Sequence, residues 1–185
     1  MPICLLHLAI TTWVAPIMSR RTAVLRSSKK TTRERASGHR FGRVPSAIGY
    51  LRAYYAAYGR GTTPSTQKTI AAVEAGLPVA AVDELRRLGL TNAEIDELVI
   101  PARTERHRRE RNEPLTAVES ERALRVLRIR ASAERAFSNA DKAVRWLRTP
   151  LAIFDGRAPL ALLKTEFGAQ HVETTLAKIE WGAPV

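Results

Sequence analysis

Five arginines fall within the nine residues 103–111, in the run Ala102-Arg103-Thr104-Glu105-Arg106-His107-Arg108-Arg109-Glu110-Arg111. A guanidinium is a planar fork of donors that meets a phosphate, or the acceptor edge of a guanine, with two parallel hydrogen bonds. The chemistry open to this stretch is therefore recognition of a nucleic acid rather than bond breaking. The competing reading is a solvated charged helix in which Glu105 and Glu110 pair with arginines at helical spacing. The density of cations favours DNA, and the expected contacts are Arg103, Thr104, Arg106, Arg108 and Arg109. His107 reads as a further surface or phosphate contact.

Other chemistry finds no foothold. The four histidines, His7, His39, His107 and His171, lie in unrelated segments, and Ser120, Asp141 and His171 are scattered rather than arranged as a triad. There is no phosphate-binding glycine loop, no dinucleotide fingerprint and no HExxH pair. A single cysteine, Cys4, excludes an internal disulfide and a cysteine-based zinc site and suits a reducing cytoplasm. The expectation is a non-enzymatic protein with no catalytic residue, metal or cofactor.

Charge points the same way. The 185 residues carry a net charge of +12, with eleven Lys/Arg against one acid over residues 1–60 and five against three over 101–115. Cations concentrated like this favour polyanions, because each phosphate contact releases condensed counterions. Residues 3–18 form an apolar run broken by Thr11, Thr12 and Pro16. It is short for a membrane span and lacks the basic start of a signal peptide. The reading is a disordered leader or a translation start at Met18, which would leave residues 1–17 untranslated, and no membrane partner. Residues 20–45 are rich in Arg, Lys, Ser, Thr and Gly without apolar periodicity, the composition of a disordered arm.

The elements that must position the arginines are helical. Ser46 can cap a helix reaching Tyr58 whose inner face is Ile48, Leu51, Tyr55 and Tyr58, with Gly59 and Gly61 as its stop. Ser65 or Thr66 caps a short helix ending at Gly76. Pro78 then predicts the first position of a helix over 79–88 with Val82, Leu85 and Leu88 inward. Thr91 with Glu94 is a capping box for the next helix, whose apolar face is Ile95, Leu98 and Val99. After the break at Ile100-Pro101 comes the arginine-rich helix. A short apolar helix, a tight turn and a cationic helix make the layout of a helix-turn-helix.

Beyond a break at 112–114, Thr116 and Glu119 form a second capping box, and the helix it starts runs to Phe137 with Ala123, Leu124, Leu127 and Ala131 inward and Arg122, Arg125, Arg128 and Arg135 on its other faces. Ser138 and Asp141 start a helix patterned on Ala140, Ala143, Val144 and Leu147. Thr149-Pro150 ends it, 151–156 is a loop turning at Asp155-Gly156, and Pro159 opens a short helix. Thr165 caps the last helix, striped by Ala169, Val172, Leu176 and Ile179 and stopped at Gly182.

The order and spacing of Glu119-Ser120-Glu121-Arg122, Trp146-Leu147-Arg148-Thr149-Pro150, residues 159–163, Thr165-Glu166-Phe167-Gly168, Val172 and Ile179-Glu180-Trp181-Gly182 resemble the C-terminal domain of the MbcA/ParS/Xre antitoxin family. Residues 76–109 resemble the Xre-type helix-turn-helix that precedes it, so the likeness covers roughly residues 66–185. Departures are Leu151 where the family often has Asn, Asp155-Gly156 for a Gly-Gly turn, and Ala158-Pro159 for a Thr-Pro.

The resemblance implies an antitoxin of a type II toxin–antitoxin pair. Its partner would be a RES-domain toxin that consumes NAD, whose active-site cleft the C-terminal domain covers, while the helix-turn-helix binds and represses the operon promoter. Carried onto this chain, the toxin-facing parts would be the 150–156 loop, the last helix and the 183–185 tail, with Leu151, Phe154, Ile179, Trp181 and Val185 as contacts and Trp181 an aromatic anchor. Arg148 and Arg157 are read as further contacts to acidic groups on the partner, against the default of solvated arginines. Trp146 reads as a core residue.

The fold class expected is all-α: a disordered basic leader over 1–45, a helix-turn-helix domain over 46–112 and a small helical toxin-binding domain over 113–185. The expected protein is cytoplasmic and a homodimer or part of a larger toxin–antitoxin assembly. Two other readings stand beside it: a stand-alone helix-turn-helix repressor without a toxin, and a non-specific RNA-binding protein acting through residues 20–60.

Overall fold

A computed structural model of the chain describes residues 47–184. The leader, the cap expected at Ser46 and the contact expected at Val185 lie outside the described residues. Within them the protein is all-helical, as the periodicity requires. The helices are α1 (Ala47–Gly59), α2 (Thr66–Ala75), α3 (Ala81–Arg87), α4 (Asn92–Leu98), α5 (Ala102–Arg111), α6 (Ala117–Phe137), α7 (Ala140–Arg148), α8 (Pro159–Leu162) and α9 (Glu166–Glu180).

Both capping boxes form. Thr91 Oγ1 accepts from the Glu94 amide while the Glu94 carboxylate accepts from the Thr91 amide, and Thr116 and Glu119 repeat the exchange at α6. Two starts differ from the sequence expectation. Pro78 opens a turn rather than a helix: its carbonyl accepts from the Ala81 amide at 2.8 Å, and α3 begins only at Ala81. Asn139, not Ser138, caps α7 by accepting from the Lys142 amide, because Ser138 is spent closing α6 in a left-handed conformation at φ 49°.

The spine is α6, which packs against α1, α2, α3, α4, α7 and α9. Small residues (Ala123, Ala131, Ser132 and Ala133) let its neighbours approach, and it is buried round most of its circumference. Hence the four-residue inner stripe read from periodicity is too narrow. Arg125 is not on an outer face: it is buried, as is Arg130. A buried guanidinium is tolerable only when its donors are met. Arg125 donates from Nε to Glu166 at 2.8 Å and from Nη2 to Glu121 at 2.9 Å, and Arg128 donates to the other Glu166 oxygen at 2.6 Å. The two bonds to Glu166 staple α9 to α6.

α1 lies against both α6 and α3, so a wider face is covered than the predicted one: Tyr54 is buried along with Leu51, and Tyr55 and Tyr58 are half-buried. Tyr55 Oη donates to Glu134 at 2.6 Å, clipping α1 to the spine. Two glycines make close approaches that no side chain would allow. At Gly76 (φ 77°) a Cβ would lie 2.4 Å from the Leu115 carbonyl oxygen, and at Gly168 it would lie 2.1 Å from that of Leu162. Gly76 lets the next amide, Leu77, reach Ser120 Oγ at 2.9 Å, and Gly168 lets α8 abut α9.

The Glu166 staple predicts an acid response. Burial works to raise its carboxyl pKa, but hydrogen bonds from Arg128 and Arg125 outweigh this and hold it below the ordinary value of 4.5. A carboxyl depressed by folding stabilises fully above its unfolded pKa and loses that contribution as pH falls through the lower native value. Urea midpoints measured from about pH 6 down to about pH 3 should fall for the unaltered chain, and Glu166→Gln should flatten that fall.

Candidate functional site

α5 has the composition ARTERHRRER, and the only residue it buries is Glu105. Its first turn is tied back to α4, where Asp96 Oδ1 accepts from the Ala102 amide at 2.6 Å across the Ile100-Pro101 turn. The helix thus begins at a fixed distance from α4, as a helix-turn-helix needs.

The five expected DNA contacts separate into two groups. Arg103 and Arg106 are exposed and enter no ion pair among the described residues; with half-buried Thr104 and exposed His107 and Glu110 they line a shallow outer concavity. Arg108 turns inward, 3.1 Å from the Glu119 carboxylate, and donates from Nη1 to the Pro114 carbonyl at 3.1 Å. Arg109 is held by Asp83 through two bonds of 3.0 Å and by Glu105 at 2.9 Å. The hydrogen bonds to Asp83 and then to Glu105 push its pKa up. Two of the four cations among them, Arg108 and Arg109, thus serve the fold. Glu105 claims Arg109 from within α5 at i,i+4 spacing, the pairing open to helical periodicity, but Asp83 and Glu119 lie in other helices, and nothing within 102–111 signals them.

The expected toxin contacts separate too. Arg148 lies at the end of α7 and, though exposed, is tied to the helix-turn-helix: Nε donates to Glu94 at 2.6 Å, and Nη2 donates to Glu94 at 2.9 Å and to the Gly89 carbonyl at 2.8 Å. Phe154 sits in the core at 1% exposure, edge-on to Trp146 and His171 with ring centroids 6.2 and 5.0 Å away. It shapes the loop from inside and offers no surface. Around it, 152–154 make a 3-10 turn, Leu151 and Arg157 pair as an isolated antiparallel bridge, and Asp155 (φ 54°) and Gly156 (φ 73°) turn the chain. Arg157 is exposed, while Leu151 and Ile179 are half-buried.

Trp181 is 86% exposed and Phe167 is 84% exposed. Phe167 was not among the expected contacts. The signal was available: it stands out of phase with the Ala169, Val172, Leu176 stripe that α9 buries. Fourteen residues separate the two aromatics, which at about 100° per residue returns them to within about 40° of one side of α9, about 21 Å apart along it. Among the described residues no His/Cys/Asp/Glu cluster could hold a metal ion, and no helix is long and apolar enough to cross a membrane.

The fold and these two surfaces define a helix-turn-helix protein whose recognition pair shares a spine with a small all-helical module. Family comparison agrees with both halves. Residues 68–128 match the antitoxin Xre-like helix-turn-helix domain, and residues 132–182 match the antitoxin Xre/MbcA/ParS C-terminal toxin-binding domain. A protein named Antitoxin Xre from Pseudomonas putida is 44% identical over 93 residues, half of this chain and 58% of its own length. Another Antitoxin Xre, from Yersinia enterocolitica, is 31% identical over 124 residues, 64% of this chain and 84% of its own. The chain belongs to the Xre/MbcA/ParS antitoxin family.

Proposed function

We propose that this chain is the antitoxin of a type II toxin–antitoxin pair: it neutralises a RES-type, NAD-consuming toxin by covering its active site, and it represses its own operon by binding promoter DNA. It works in the cytoplasm, as a homodimer or within a larger toxin–antitoxin assembly. Residues 46–112 carry DNA binding and 113–185 carry toxin binding, with α6 as the common support.

The observation that carries this reading is the outer side of α9. Inhibition by occlusion requires a rigid, shape-matched surface with aromatic anchors and no catalytic group. Two large aromatics left in water on one side of a helix are costly unless a partner covers them. Phe167 and Trp181 mark the two ends of such a surface, with His171, Thr174 and Lys178 exposed between them. Arg157 and the 151–157 loop border it in the reading carried from the family.

The test is co-expression of the full chain with the product of the adjacent gene. Rescue of growth and a purified complex are expected. Trp181→Ala should weaken that complex by roughly 2 kcal/mol or more, the scale of a buried aromatic anchor. It should leave the thermal midpoint of the free chain unmoved, because the side chain is already exposed. Growth arrest despite soluble, folded antitoxin would sink the proposal, and promoter binding without any complex would favour a stand-alone repressor.

A further inference from the structure

α5 has no apolar side with which to dock, so what sets its rotation about its own axis must be polar. Four charged side chains close on one another beneath it. Glu105, 7% exposed, receives Arg86 through both oxygens at 3.0 and 2.7 Å and Arg109 at 2.9 Å. Asp83 receives Arg109 through two bonds of 3.0 Å and Arg86 at 2.9 Å. Arg86 also donates from Nε to Asn92, the first residue of α4, at 2.8 Å. Two acids and two bases thus form a neutral ring joining α3, α4 and α5.

We propose that Glu105 and Asp83 are the positioning residues of the DNA-reading helix, acting through Arg109 and Arg86 to set the rotation that turns Arg103 and Arg106 outward. A slip of one residue would turn the helix by about 100° and take both arginines off that side. On this view Arg109 is a structural cation, and α3 belongs to the reading apparatus although it touches no base. The inference rests on the proposed promoter binding and adds how that binding is aimed.

The charge change gives an opposed prediction. Glu105→Gln or Asp83→Asn makes the protein one unit more positive, so simple electrostatics predicts tighter binding to any DNA. Positioning predicts the reverse for the promoter: roughly tenfold weaker binding, the scale of one lost bidentate base contact, with random-sequence DNA bound as well as before or better. Asp83 is half-exposed, so Asp83→Asn reads the effect even where Glu105→Gln compromises folding.

Amide hydrogen exchange of the free protein supplies a readout without DNA. Protection should drop in α5 and stay high in α6. Promoter affinity unchanged or raised in both variants overturns the inference, as does unaltered α5 protection. If the unaltered chain itself shows no preference for its promoter, the repressor reading fails, and the exchange measurement still decides the positioning.

Discussion

Phe154→Ala should cost roughly 3–5 kcal/mol of folding free energy, the range for truncating a fully buried phenylalanine. The ring is 1% exposed and stands between Trp146 of α7 and His171 of α9. Removing it opens a cavity where the 151–157 loop meets both helices, and the remaining side chains are bound to helices that cannot collapse into it. Urea unfolding of the purified chain measures the loss. The comparison that matters is with Trp181→Ala. Both residues are expected from the family to face the toxin, yet Phe154 should report in stability and Trp181 only in the complex. A Phe154→Ala protein of unchanged urea midpoint, impaired in toxin binding, would mean that the loop opens and offers this ring as a surface.

Arg103→Ala combined with Arg106→Ala should remove specific promoter binding. Each arginine that reads a base contributes about 1–3 kcal/mol, so the pair should cost on the order of a hundredfold in affinity. The salt dependence should also become shallower, since any phosphate released from these side chains lowers the slope by about 0.9. Stability should hold because neither side chain is committed within the fold. Arg108→Ala behaves differently. It strands Glu119, which caps α6, and should lower the unfolding midpoint before it affects DNA. Titration of labelled promoter and of random DNA at two salt concentrations distinguishes these results. Full promoter affinity in the double variant would move the reading surface away from α5, and loss of toxin neutralisation together with promoter binding would dissolve the division of labour between the two halves.

The coupling of the halves was the least legible feature. Arg148 is among the expected toxin contacts, and a lone arginine before Thr149-Pro150 gives no hint of another role. In the fold it joins Glu94, 54 residues away, and so holds the very carboxylate that caps α4. Burial raises that carboxyl pKa, and the bonds from Arg148 and the Thr91 amide outweigh it and leave it below the ordinary value. A single acid thereby starts the helix-turn-helix and receives the end of α7. Lys164 and Glu97 add a second bridge between the same regions. The helix-turn-helix and the C-terminal module are consequently one packed body around α6.

What the chain order alone determined is local: the nine α-helices of the described residues lie where apolar periodicity, two Thr/Glu capping boxes and the Gly and Pro stops put them, to within a few residues, because each of those signals acts over one or two turns. The family words did the same for the kind of protein. Which arginines are free was decided only by the tertiary structure. Arg103 and Arg109 are the same residue in the same helix, but Arg109 meets Asp83 from 26 residues earlier and Arg103 meets water. The i,i+4 partner Glu105 is legible within the helix, but Asp83 comes within hydrogen-bonding reach only because the fold sets α3 beside α5, and no pattern within one helix carries that proximity.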